Sequence, residues 1–190
     1  MNYACLKTQE FTLNQYQLIP IRYKDIFLIK QWRNAQIDIL RQEEPLTDEM
    51  QKKYFENILE PSSSLRHPKQ ILFSLLKENQ CIGYGGIVHI DWEVQKGEIS
   101  FLVDTDRTRQ PEVYEADFTT FLKLIKEVAF HDLHFRSLYA ETYDIRPHHI
   151  SILESNGFIE EKRVKNLVNI GSEPKDSLIH GYYFYGPMER

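Results

Sequence analysis

Glycine is scarce in this chain, 8 of 190 residues, and none stands between Phe101 and Ile125. That stretch reads as a strand, a polar loop and the first turns of a helix, where nucleotide proteins often place a phosphate-cradling turn. A turn built on bare glycine backbone is excluded there. Cysteine is scarcer still: Cys5 and Cys81 make neither a metal-spaced pair nor a disulfide framework. No apolar run approaches the roughly 18 residues that span a bilayer. "MNYACLKTQEF" lacks a charged segment leading into an apolar one, so it does not read as a signal peptide. Basic residues are outnumbered, 23 Lys and Arg against 28 Asp and Glu, and a net charge of -5 argues against a nucleic-acid partner. These absences leave a cytoplasmic protein as the expectation, with no metal, membrane or nucleic acid.

What is present is ordinary globular composition, 42% hydrophobic and 27% charged, in a length that suits one domain over 1–190. "YQLIPIRY" (16–23) alternates as a strand, and Pro20 suggests a sheet edge. "KDIFLIKQWRNAQ" has helical spacing with Asp25 in its first turn. Thr47, followed by Asp48 and Glu49, reads as the N-cap of a second helix through about Leu59, with Pro61 ending it in a loop over 60–69. Runs over 70–78, 81–92 and 96–104 are joined by short turns, an antiparallel meander. Phe118, Phe121, Leu122, Ile125, Val128 and Ala129 form the stripe of an amphipathic helix. A strand (137–144), a short helix (147–156) stopped by Gly157, and two final strands complete an α/β (mixed α+β) order.

That order resembles the GCN5-related N-acetyltransferase (GNAT) superfamily, nearest its ribosomal-protein-alanine and amino-sugar branch. The resembling words are "IKQWRN" (29–34), "CIGYGGIVHID" (81–91), "GEISFLVD" (97–104) and "LYAETYDIRPHHISILESNGFIEE" (138–161). The likeness covers about 16–186, leaving 1–15 as an N-terminal extension. It implies a central, mostly antiparallel twisted sheet with one splayed parallel pair, flanked by helices. It also implies acetyl-CoA as co-substrate, its pantetheine arm on the backbone of Phe101, Leu102 and Val103 and its pyrophosphate on the following helix start.

The family's loop carries Arg or Gln, then glycines; here it is "DRTRQPEVYEA" (106–116), with Pro111 and Glu112 at the glycine positions. Arg107, Arg109 and Gln110 keep the basic or amide character, and Arg146 stands where a cofactor-contacting asparagine is usual. Arginine side chains can replace backbone donors to phosphate, so these four are the expected cofactor residues. The other reading makes them solvated charges on a catalytically silent binding protein; a third uses a different acyl carrier. Leu153 occupies the position of a frequent general-acid tyrosine.

Acylating an amine needs a neutral nucleophile, a polarised thioester and a proton acceptor. Glu98 is the expected base, the alternative being a strand carboxylate paired across the sheet. Trp32, Arg33, Asn34, Tyr84 and His89 are the expected acceptor-binding residues, with Asp91 nearby. The bland alternatives are a core Trp32, a surface Arg33 and a structural His89. Gly85 and Gly86 either admit a ligand or mark a bulge. His148 and His149 are expected at the surface. The acceptor is a small-molecule amine, an amino sugar or a protein N-terminus, and a homodimer is left open.

Overall fold

The computed structural model describes residues 1–170 and 173–186. β1 (Phe11–Leu13) and β2 (Tyr16–Pro20) form a hairpin, turned at Asn14 with φ 53°. A 3₁₀ turn (Tyr23–Asp25) leads into α1 (Ile26–Ala35), which buries Ile26, Ile29 and Trp32 at helical spacing. A second 3₁₀ turn (Ile37–Ile39) precedes α2 (Asp48–Tyr54), where Thr47 Oγ1 accepts the Met50 N–H at 3.1 Å as the N-cap. The helix continues through a π-helical turn (Phe55–Leu59) into α3 (Glu60–Ser63). Pro61 therefore does not end it but lies just after the π-helical turn, within the helical stretch.

The meander follows as β3 (Ile71–Lys77), β4 (Gln80–Asp91) and β5 (Lys96–Val103), all antiparallel. The stretch expected as a polar loop is largely helical: α4 (Thr105–Thr108) and α5 (Pro111–Lys126), prolonged by a π-helical turn to Asp132. Next come β6 (Ser137–Tyr143), α6 (Pro147–Ser155), β7 (Ile159–Ile170) and β8 (Glu173–Tyr183). Gly157, at φ +85°, ends α6 as expected.

The described residues form one sheet in the order β1-β2-β3-β4-β5-β6-β8-β7, antiparallel except for β5 and β6. This is the mixed, mostly antiparallel architecture that the sequence order implied. β2 is not the edge, because β1 covers it from Tyr16 to Leu18; Pro20 lies beyond that short pairing, where no donor is required. Within the first fifteen residues Tyr3 and Leu6 pack into the core. Tyr3 is buried, and its hydroxyl exchanges hydrogen bonds with the backbone of Leu72 at 2.9 Å.

Strand alternation splits the core into two layers. On one face, Phe73 and Val103 pack with Phe118, Phe121 and Ile125 of α5. On the other, Leu72, Tyr84 and Leu102 pack with Ile26, Ile29 and Trp32 of α1. Glycine is needed at the centre of β4. A Cβ on Gly85 would meet Ser100 O at 2.3 Å and Phe121 at 2.8 Å, and one on Gly86 would meet Ile71 O at 2.0 Å. Close approach of neighbouring backbone and helix explains these glycines. Register irregularities of β4 lie to either side of them, at Ile82 against β3 and between Val88 and Asp91 against β5.

Candidate active site

The parallel pairing of β5 with β6 stops early: Lys96, Gly97 and Glu98 pair with Ser137, Leu138 and Tyr139, and the strands then part. The Asp104 N–H donates to Ile82 O at 2.9 Å on the β4 side, so the adjoining Val103 carbonyl points into the gap. Backbone groups alternate in direction along a strand, so those of Phe101 face the gap too, whereas those of Leu102 face β4. The Leu102 side chain is in the core. The Phe101 ring stacks on Phe118 with centroids 4.6 Å apart, giving the gap an aromatic floor. Gln36 Nε2 donates to Val103 O at 2.8 Å, a contact the sequence did not signal.

Three spaces meet here. The gap itself is a cavity of about 270 Å³ that includes His89, Glu98, Phe101 and Arg146 in its walls. An outer cleft of about 410 Å³ lies between the α4–α5 junction and the start of α6. It shares Ile39, Arg146 and His149 with the gap. A third pocket, about 400 Å³, lies beneath α1 and α2 and shares Arg33, Val88 and Ser100 with the gap.

Glu98 sits at the fork of the two strands, its side chain 10% exposed. Arg41 Nη2 donates to Glu98 Oε1 at 3.0 Å and to Glu141 Oε2 on β6 at 2.5 Å, bridging the fork. His89 Nε2 lies 3.9 Å from Glu98 Oε2. His89 has φ 49° and stands within the β4 bulge, the kind of irregularity that re-aims a side chain beside a site. Asp91 faces elsewhere: its Oδ1 accepts the N–H groups of Glu93 and Val94 and closes the β4–β5 turn.

Of the expected acceptor residues, Arg33 and Tyr84 line the pocket, joined by Arg33 Nη1 donating to Tyr84 Oη at 2.5 Å. Trp32 does not reach a cavity; it is 5% exposed in the α1 layer of the core. Asn34 positions the loop before α2, its amide exchanging hydrogen bonds with Leu46 backbone at 2.8 Å while its Oδ1 accepts from Gln42.

The expected phosphate arginines part company. Arg107 makes a two-pronged ion pair with Asp117, at 2.5 and 2.9 Å, and Asp117 is fully buried and also accepts from Tyr16 Oη. Arg107 is thus committed to the fold. Arg109 is exposed and pairs with Asp106 at 2.9 Å, and Gln110 precedes α5 with its amide toward Asp106 O. The turn's own N–H groups are used internally: Arg107 and Thr108 donate to Asp104 O, and Gln110 donates to Arg107 O. Pro111 opens α5 without a donor, so the Glu112 and Val113 N–H groups are those left facing outward at the helix start. Only Arg146 of the four lines the gap and the outer cleft.

Arg146 belongs to a cluster the sequence did not reveal. Its Nη2 donates to Tyr114 Oη at 2.6 Å, and Tyr114 Oη lies 2.7 Å from His149 Nδ1. The Tyr114 hydroxyl thus joins the arginine to the imidazole. Burial, reinforced by the neighbouring Arg146, His180 and His148, holds the His149 imidazole neutral, well below the usual 6.5. Burial likewise raises the Tyr114 hydroxyl pKa, opposed by Arg146. The expectation of two surface histidines holds for His148 and fails for His149, which stacks on Phe118 at 4.3 Å. Leu153 is fully buried in the core and offers no acid.

A family model described as an acetyltransferase (GNAT) domain matches residues 19–179. No curated protein matches by sequence. Among solved structures, spermidine N-acetyltransferase from Vibrio cholerae in complex with CoA and spermine is 13% identical with TM-score 0.76, covering 90% of this chain and 96% of that one. Ribosomal-protein-S5-alanine acetyltransferase from Vibrio fischeri is 15% identical with TM-score 0.70, covering 92% and 96%. At such identities the likeness is one of fold. Among the described residues no helix is long and apolar enough to cross a membrane.

Proposed function

The chain belongs to the GNAT acetyltransferase family and is an acyl-CoA-dependent N-acetyltransferase, and from that premise we propose that it moves an acetyl group from acetyl-CoA to a primary amine in the gap between β5 and β6. The observation that carries this reading is the early end of the β5–β6 pairing, which leaves Phe101 lining a cavity with Glu98 at its root. The Phe101 backbone groups and the Val103 N–H hold the pantetheine arm, while the Val103 carbonyl accepts from Gln36. Arg146, with the N–H groups of Glu112 and Val113, meets the pyrophosphate in the outer cleft. One side-chain charge thereby takes the place of a glycine cradle.

Acetyl-CoA supplies a thioester carbonyl. The acceptor nitrogen forms a bond to that carbon, the C–S bond breaks, and the sulfur leaves as a thiolate that takes a proton from solvent. The amine proton passes to the Glu98–His89 pair. Glu98, which is paired with Arg41, lies 3.9 Å from the exposed His89, and through His89 the proton reaches solvent. Backbone N–H groups facing the gap polarise the carbonyl.

Thermal-shift and calorimetric titration with acetyl-CoA test the proposal, because a ligand bound to the native state alone raises its stability with concentration. We expect Arg146→Ala to weaken binding by roughly 10- to 100-fold, the size of a charge-assisted bond, and Arg109→Ala to leave it within about twofold. Glu98→Gln should bind acetyl-CoA yet turn over about 10²- to 10⁴-fold more slowly. No thermal shift at millimolar acetyl-CoA would overturn the reading.

A further inference from the structure

Resting on that reading, the pocket beneath α1 and α2 specifies the acceptor more closely. Its walls join aliphatic residues, among them Ile29, Leu59 and Leu72, to the polar side chains of Gln51, Tyr54 and Gln70. Arg33 is the one charged residue lining it among the described residues. The recorded hydrogen-bond partners of the Arg33 side chain, Gln42 at 3.0 Å and Tyr84, are neutral, and no carboxylate pairs with it among the described residues. Gln51 of α2 lines the same pocket at 6% exposure, and its carboxamide makes no hydrogen bond among the described residues. A cation without a carboxylate partner and an amide open to the same pocket suit a ligand that brings an anion and a polar atom.

Charge and polarity narrow the class. A polyamine entering this pocket would bring a second ammonium past Arg33 with no carboxylate to receive it. A simple amino sugar would bring no anion to the Arg33 cation. Arg33 and Ser100 line both this pocket and the gap. An acceptor whose amine and anionic group share one carbon can therefore rest the anion on Arg33 and turn the amine into the gap toward Glu98.

We propose that the acceptor is an α-amino acid with a long, mostly apolar side chain that carries a polar atom, its carboxylate on Arg33 and its side chain running toward Gln51. The test measures CoA release at saturating acetyl-CoA with L-tyrosine, L-tyrosinamide, L-phenylalanine, glucosamine and spermidine. The expected result is that L-tyrosine exceeds L-tyrosinamide in kcat/KM by about tenfold or more. Arg33→Gln should erase that difference by raising KM for the acid alone, and Arg33→Lys should restore part of it. Gln51→Leu should lower the preference for L-tyrosine over L-phenylalanine. Equal rates for acid and amide, or a preference for spermidine or glucosamine, overturn the inference while leaving the N-acetyltransferase reading intact. Absence of both acetyl-CoA stabilisation and transfer to any amine removes the reading itself and the inference with it.

Discussion

Burial of His149 gives the fold a pH dependence. The imidazole is buried and neutral in the native state and exposed in the unfolded one. Below the ordinary value of 6.5 the unfolded chain binds a proton that native His149 refuses. The unfolded state then holds more protons, so stability falls as pH falls through that window, by up to about 1.4 kcal/mol per pH unit. His149→Phe, which keeps a ring against Phe118, should flatten the slope of melting temperature against pH between about 6.5 and 5. An unchanged slope would assign the acid sensitivity to other groups. Little of this was legible in the sequence. His148 and His149 are adjacent and chemically alike; only the rotation of α6 buries one and exposes the other, and two histidines opening a short helix do not reveal that rotation.

At the scale of the element, the junction of α4 and α5 turns on Asp117. The amphipathic stripe of α5 is readable, because Phe118, Phe121, Leu122 and Ile125 recur at helical spacing. Asp117 interrupts that face and is fully buried, accepting from Arg107 and from Tyr16 Oη at 2.8 Å. Its partners stand 10 and 101 residues away in sequence. Pairing Arg107 with Asp117 requires knowing that α5 begins at Pro111 and that α4 folds back on it. Read as a loop, the segment leaves Arg107 free, and hence a candidate for phosphate. Removing one partner of a buried pair strands the other, so Asp117→Ala should lose about 3–5 kcal/mol in urea denaturation. Arg107→Met combined with Asp117→Leu should recover much of that loss. If the double variant is as unstable as Asp117→Ala, the ion pair is not what the site depends on.

Across the whole molecule, topology was the most legible property and the fork the least. Alternating strands, short turns and one long crossover helix dictate a meander followed by a strand-helix-strand return. Local periodicity does not say where two parallel strands part. That is fixed by side chains 57 and 100 residues apart, Arg41 with Glu98 and Arg41 with Glu141. The two halves of the sheet, β1 to β5 and β6 to β8, share only three parallel residue pairs, and Arg41 spans their divergence. Arg41 is 46% exposed, which screens its charge, whereas Glu98 is nearly buried. Arg41→Ala should therefore destabilise by about 1–2 kcal/mol, chiefly by leaving Glu98 unpaired. In a Glu98→Gln background the same substitution should lose markedly less, because a neutral amide needs no counter-charge. Urea denaturation of the four proteins in this cycle gives the coupling energy. Equal losses from Arg41→Ala in both backgrounds would mean that Arg41 holds the fork through Glu141 alone, with Glu98 carrying its charge unaided.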